Sequence, residues 1–381
     1  MRPSSRSLPR ARFRLAVNGY GRIGRSFVRA IHEAGLADQL CVVAINEPAT
    51  LDSIAYLTRF DSTHGRFPGE VNIIADENVL LLDGRPITVS HAHTPEEVDW
   101  HSYGIDLVVE CSGRYAERAQ LQRFISAGCP RLLLSNPGAH AHDVDATVVY
   151  GITQDNFDPQ IRLLSAASCT TNAAVPVLSL LHQAFGIEHA LLTTLHSAMN
   201  DQPLIDGYHH PDLARTRSAM QSIIPVSTGL ARGIERLLPE LKNRVTAKAI
   251  RVPTHNVSAI DMVLSFQKDA SAEQINALLR EAASGAFARL IGWTNAPHAS
   301  IDFNHDAHSA IIDGSQTRAC EPRMANLFVW FDNEWGFASR MVELARYWLE
   351  KTSLAASIVA AISASPCAEE TKPASKAEGA K

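Results

Sequence analysis

Arg14-Leu-Ala-Val-Asn18 runs directly into Gly19-Tyr20-Gly21-Arg22-Ile23-Gly24-Arg25, and this join decides how the first half of the chain folds. The apolar stretch has the pattern of a buried strand. Ile23, Phe27, Ala30 and Ile31 then recur at helical spacing, with Gly35 near the end of that run. A second apolar stretch, Cys41-Val-Val-Ala-Ile45, closes on Asn46-Glu47. The order is strand, Gly-x-Gly-x-x-Gly, helix, strand, acid. Gly19 permits a tight turn, Gly21 lets backbone approach a pyrophosphate, and Gly24 lets helix and strand pack closely. The helix N-terminus offers unpaired N–H groups to an anion. Glu47 falls about twenty positions beyond the glycines, where an acid accepts ribose hydroxyls. A carboxylate there repels a 2′-phosphate, so the expected dinucleotide is NAD rather than NADP.

Working outward, Asp83-Gly84 between two apolar runs predicts a hairpin. Ile105–Val109 and Leu132–Leu134 read as buried strands, with a helix over Leu121–Ala127 between them. Alternating strands and helices predict a mostly parallel sheet covered on both faces. Ligands of such sheets lie beyond the carboxyl ends of the strands. That places Glu47, Ser112 and Ser135 near the cofactor.

Ser168-Cys169-Thr170-Thr171-Asn172 opens the second half. A helical pattern begins there and reaches Gly186, a plausible C-cap. A thiol at a helix N-terminus gains thiolate character, so Cys169 is the candidate nucleophile. Pro176 either kinks this helix or moves its start further along. A nucleophilic thiol needs a base, and His196 ends the strand pattern Ala190–Leu195. The irregular stretch Ser197–Ser222 is long enough to suggest a functional loop. Ser227-Thr228-Gly229 opens another helix and a second possible anion site. Arg215 and Arg251 are candidates for bidentate phosphate contacts.

The chain has 381 residues, enough for two domains, with 46% hydrophobic and 20% charged residues and a net charge of −5. Nothing in that balance calls for a nucleic-acid or membrane surface. Six scattered cysteines form no CxxC pair, and the histidines show no metal-ligand spacing, so no metal site is expected. A reducing compartment, the cytoplasm, follows. Residues 1–12 and 352–381 read as disordered tails.

These motifs closely resemble the glyceraldehyde-3-phosphate dehydrogenase family. The resemblance rests on Val17–Arg25, Phe60-Asp-Ser-Thr-His-Gly-Arg66, Ser168–Asn172, Ser227–Gly229, Arg251-Val-Pro-Thr254 and Trp330-Phe-Asp-Asn-Glu-Trp-Gly-Phe337, in family order from about residue 13 to 350. It implies a Rossmann-type NAD-binding domain over residues 13–168, completed by a helix near 333–350. It also implies an α+β catalytic domain with a mixed or antiparallel sheet over residues 169–332. By the same resemblance Cys169 attacks an aldehyde and His196 is the base. Arg22, Ile23, Glu47, Ser135 and Asn333 hold NAD. Ser168, Thr170, Arg215, Thr228, Gly229 and Arg251 hold a phosphorylated aldose and its acyl acceptor. The family is homotetrameric.

Within the family the chain looks most like the erythrose-4-phosphate dehydrogenases. Met199 stands where the glyceraldehyde-3-phosphate enzymes carry a phosphate-binding threonine. Asn46-Glu47, Asp302–Asp306 and Asp313–Arg318 lean the same way. Ser227-Thr-Gly-Leu-Ala and His93 lean toward a phosphorylating glyceraldehyde-3-phosphate dehydrogenase, the alternative reading. A third reading, a non-catalytic nucleotide- or RNA-binding member, conflicts with the intact Cys169 and His196.

Overall fold

A computed structural model describes residues 13–208, 212–320 and 322–364. The expectations for 1–12, for 365–381, and for His209 and His210 lie outside the described residues. Among the described residues the α-helices are α1 (Arg22–Glu33), α2 (Leu51–Arg59), α3 (Arg118–Ser126), α4 (Cys169–Phe185), α5 (Leu230–Leu237), α6 (Ala272–Ser284) and α7 (Trp335–Ala364). Two large sheets carry the rest of the fold.

The first sheet centres on the opening strand, Phe13–Asn18. Leu40–Asn46 and Leu107–Glu110 pair with it on either side, both parallel. Leu132–Leu134, Leu163–Ser165 and Ala146–Thr147 extend the parallel sheet on the Leu107 side. Beyond the parallel strand Arg85–Ser90, the far edge turns antiparallel through Val79–Leu82 and Val71–Ile74. The Asp83-Gly84 hairpin is there, both residues at positive φ. Central strands such as Leu107–Glu110 are buried at every position, because helices cover both faces.

Two glycines of the opening loop are required by close approach. Gly19 has φ of 83°, and a Cβ on it would lie 2.5 Å from the backbone of Ser112. A Cβ on Gly24 would lie 2.2 Å from the Gly19 carbonyl oxygen. At Gly21 a Cβ would meet nothing within 4 Å; that position faces the groove.

The second sheet is mixed, as expected. Its order is Ile224–Val226, Val245–Arg251, Ile187–His196, Ser258–Phe266, Met324–Phe331, Ala310–Asp313, Ile291–Thr294. Ile187–His196 is parallel to Val245–Arg251 and antiparallel to Ser258–Phe266. The parallel register sets His196 directly beside Arg251.

α4 connects the two sheets, leaving the strand Leu163–Ser165 and entering the second core. It starts at Cys169 and continues through Pro176 to a Gly186 C-cap at φ 70°. A proline inside a helix costs about 3 kcal/mol. Val175, Val177, Leu178 and Leu181 are fully buried around it, and their burial offsets that cost.

The C-terminal helix departs from expectation. α7 runs on to Ala364, so Thr352–Ala364 is helical rather than a loose tail. The alanines there are strong helix formers. Thr352 is also anchored, its hydroxyl lying 2.9 Å from the Pro159 carbonyl and 2.8 Å from that of Trp348. The first turns of α7 bury Trp335, Met341 and Trp348 in the same core as Val17 and Phe27 of the first sheet.

Candidate active site

Cys169 lies where the two cores meet and packs against both. Ala167 holds φ of 61° just before it, turning the chain from the strand end into α4. Ser168 is the N-cap, its hydroxyl accepting from the Thr171 N–H at 3.1 Å. Cys169 Sγ is 3.7 Å from His196 Nε2 and 3.8 Å from Thr170 Oγ1.

The thiol differs from the expectation drawn from its helix terminus. Burial pushes its pKa up, more than the Thr170 hydroxyl, nearby backbone N–H groups and the Arg251 charge pull it down. Among its neighbours His196 is the group able to accept the thiol proton. Burial, and then the Arg251 charge, lower the His196 pKa to about 4. A neutral imidazole thus faces a neutral thiol near pH 7.

Two groups compete for His196 Nδ1. The Ser197 carbonyl is 2.9 Å away and Arg251 Nη1 is 2.7 Å away. The carbonyl can only accept and the guanidinium can only donate, so the two contacts select opposite tautomers. With Nδ1–H on Ser197, Nε2 is an open base toward sulfur. With Arg251 donating to Nδ1, Nε2 carries the proton.

Two cavities open from this pair. One, of about 230 Å³, is lined by Ser168, Thr170, His196, Thr228, Gly229 and Arg251, among others. Five of the six expected substrate residues meet there. Arg215 stands outside that lining, held by Asp201 at 3.0 Å and near Asp212. Arg251 Nε and Thr194 Oγ1 are buried with no hydrogen-bond partner, as donors awaiting an anion would be.

The other cavity, of about 450 Å³, is lined by Arg22, Ile23, Ser135, Cys169, His196, Met199 and Asn333, among others. Gly21, Cys111 and Ser112 are shared with a third pocket that contains Glu47 and His93. All five expected NAD residues line this continuous run. The open space at Gly21, where a side chain would intrude, fits a dinucleotide backbone. Asn333 Oδ1 accepts from Ser197 Oγ at 2.9 Å and Ser258 Oγ at 2.7 Å. Its amide nitrogen is the end left to face the groove. Glu47 Oε2 accepts from the Tyr20 N–H at 2.8 Å, so one carboxylate oxygen also holds the glycine turn.

Asp201, which links Arg215 and Arg251, was missed by sequence reasoning. Its Oδ2 is 3.0 Å from one guanidinium and 3.9 Å from the other. It lies in an irregular loop without periodicity, so no local pattern marks it. Thr194 was also missed, though a signal existed: it sits two residues before His196 on one strand and so shares its face.

Two comparisons agree with this geometry. Residues 13–118 match the model of the glyceraldehyde 3-phosphate dehydrogenase NAD binding domain. Residues 168–333 match that of the glyceraldehyde 3-phosphate dehydrogenase C-terminal domain.

Proposed function

The chain belongs to the glyceraldehyde-3-phosphate dehydrogenase family and is an NAD-dependent dehydrogenase, and from that premise we propose that its aldehyde is D-erythrose 4-phosphate. The product is 4-phosphoerythronate, an early intermediate of pyridoxal phosphate synthesis, made in the cytoplasm. The observation that carries this choice is Met199. It lines the same cavity as Cys169 and His196, in the position of the family's phosphate-binding threonine. A thioether donates no hydrogen bond. Losing one donor costs about 1 kcal/mol, enough to shift preference among phosphorylated aldehydes.

In the proposed mechanism Cys169 adds to the aldehyde carbon and forms a thiohemiacetal. His196 Nε2 takes the proton, with Nδ1–H held by Ser197. Engagement of Arg251 by the substrate's anionic group draws the guanidinium from Nδ1 and favours this base tautomer. Bound NAD supplies a hydride acceptor. Loss of hydride leaves a thioester on Cys169, which water opens. Ser168, Thr170, Thr228, Gly229 and Arg251 hold the anion, and Arg215 supports Arg251 through Asp201. Arg22, Ile23, Glu47, Ser135 and Asn333 hold the cofactor.

The test is kcat/KM for erythrose 4-phosphate and glyceraldehyde 3-phosphate, each with and without inorganic phosphate. Phosphate-independent turnover favouring the tetrose is expected. Met199→Thr should move the ratio toward the triose by about fivefold, the equivalent of one hydrogen bond. Strongly phosphate-dependent oxidation of the triose, with little of the tetrose, would instead make the chain a glycolytic dehydrogenase.

We also propose a homotetramer. Leu204, Ile205, Leu213 and Ile223 are large apolar side chains exposed on one chain segment, a pattern of interaction surfaces. Sedimentation as a monomer at working concentration would remove this part of the proposal.

A further inference from the structure

Three claimants meet at the Arg251 guanidinium, and it cannot serve them all at once. Nη1 lies 2.7 Å from His196 Nδ1 and 3.5 Å from the Ser197 carbonyl oxygen. Nη2 lies 3.9 Å from Asp201 Oδ2, at the edge of an ion pair. The anion cavity, which Arg251 lines, is the third claimant. Nε is buried and has no hydrogen-bond partner. Asp201 is incomplete from its own side. Its Oδ2 accepts from Arg215 Nη1 at 3.0 Å, while Oδ1 is buried without a partner. Arg215 has a further acid, Asp212, at 3.6 Å. Among the described residues, Asp201 is the acid within 4 Å of Arg251.

Buried polar atoms are almost always paired, and leaving one unpaired is unfavourable. Here an unpaired donor, Arg251 Nε, and an unpaired acceptor, Asp201 Oδ1, belong to side chains that already approach each other. A guanidinium presents two parallel N–H groups as a fork that matches the two oxygens of a carboxylate. A shift of that fork by about 1 Å brings Nη2 within ordinary hydrogen-bond length of Oδ2. The guanidinium is rigid and planar, so moving Nη2 toward Asp201 also moves Nη1 away from the imidazole. The charges act in the same sense. Burial, and then the Arg251 charge, lower the His196 pKa, and the Asp201 charge opposes them. Burial also lowers the Arg251 pKa, and the Asp201 charge is the largest influence against it.

We propose that Asp201 is a second seat for the Arg251 guanidinium and, through it, a positioning residue for His196. Seated on Asp201, Arg251 leaves Nδ1–H to the Ser197 carbonyl, and Nε2 faces Cys169 as an open base. Seated on His196, it holds the imidazole in the opposite tautomer. Asp201 also competes with the substrate's anionic group for the same guanidinium. One carboxylate therefore loosens substrate binding and favours the tautomer that turns the substrate over. The proposal deepens the mechanism above and rests on Cys169 and His196 acting on an anionic aldehyde, whichever aldehyde that is.

The experiment is steady-state kinetics of Asp201→Asn at saturating NAD⁺, with kcat and KM read separately on whichever of the two aldehydes the wild type oxidises faster. Asparagine keeps the shape and removes the charge. Arg251 then stays on Nδ1, so kcat is expected to fall by about tenfold. The guanidinium is also less neutralised toward the substrate, so KM is expected to fall by about threefold. A side chain that only supported its loop would raise KM as the cavity loosened. Asp201→Glu restores the charge and should recover kcat to within about threefold. Asp201→Ser removes the same charge with a smaller group and decides the sign if the asparagine variant does not fold, with NAD⁺ calorimetry as the check on folding. A KM that is unchanged or raised in the neutral variants, or a kcat that does not fall, overturns the role of Asp201 alone. Wild-type protein that oxidises neither aldehyde would overturn the proposed function and this role with it.

Discussion

Cys169→Ala is expected to abolish aldehyde oxidation, with a fall in kcat on the order of 10⁴-fold or more, while Kd for NAD⁺ changes little. In the proposed mechanism the reaction proceeds through a covalent bond to Sγ, and no neighbouring group replaces it. Ser168 is committed to its cap and Thr170 points a weakly nucleophilic hydroxyl. The cofactor run from Glu47 to Asn333 is built from other elements and survives the change. The check is pre-steady-state NADH formation together with NAD⁺ calorimetry. Iodoacetamide mapping on wild-type protein adds a control, because Cys320 is exposed, Cys169 half-buried and Cys129 buried. A Cys169→Ala enzyme with full turnover would remove the nucleophile from the mechanism. Since burial holds the thiol pKa up, labelling of Cys169 should accelerate as pH rises.

His196→Asn is expected to lower kcat by about 10² to 10⁴, the usual worth of a general base, with KM nearly unchanged. Asparagine keeps a polar group at the site but cannot take the proton. The sign of the pH effect follows from the pKa of about 4 that burial and Arg251 impose. The imidazole is a neutral base above that value and is lost as base when pH falls through it. Wild-type activity should thus keep its acid limb low. Arg251→Gln removes a repelling charge, so the acid limb should move up by about one unit, alongside weaker substrate binding. An acid limb that stays in place in Arg251→Gln would mean that the guanidinium does not act on His196. Unchanged kcat in His196→Asn would assign the base elsewhere.

Much of the first unit was legible because its signals are local. The Gly19–Gly24 spacing, the apolar runs on either side and Glu47 each follow from short-range backbone geometry. Cys169 at a helix start was legible for the same reason, since capping and periodicity act within one turn. The thiol's protonation was not. The helix terminus suggested a lowered pKa, but desolvation depends on how deeply two packed units bury the sulfur. The end of α7 was misread from its composition. Alanine suits both a tail and a helix, and the anchor of Thr352 on the Pro159 carbonyl favours the helix.

The sequence by itself determined the strand–glycine–helix unit and the expected dinucleotide, since each rests on residue type at short spacing, and it marked Cys169 and His196 as candidates. The tertiary structure decided what acts on them. His196 stands beside Arg251 because two strands far apart in sequence pair in one parallel register. Asp201 reaches two arginines because a loop without periodicity folds back over them. His64 meets His305 across 241 positions of chain, a contact that no local pattern encodes. Such contacts are set by packing two cores against each other, and their charges and tautomers follow from that burial.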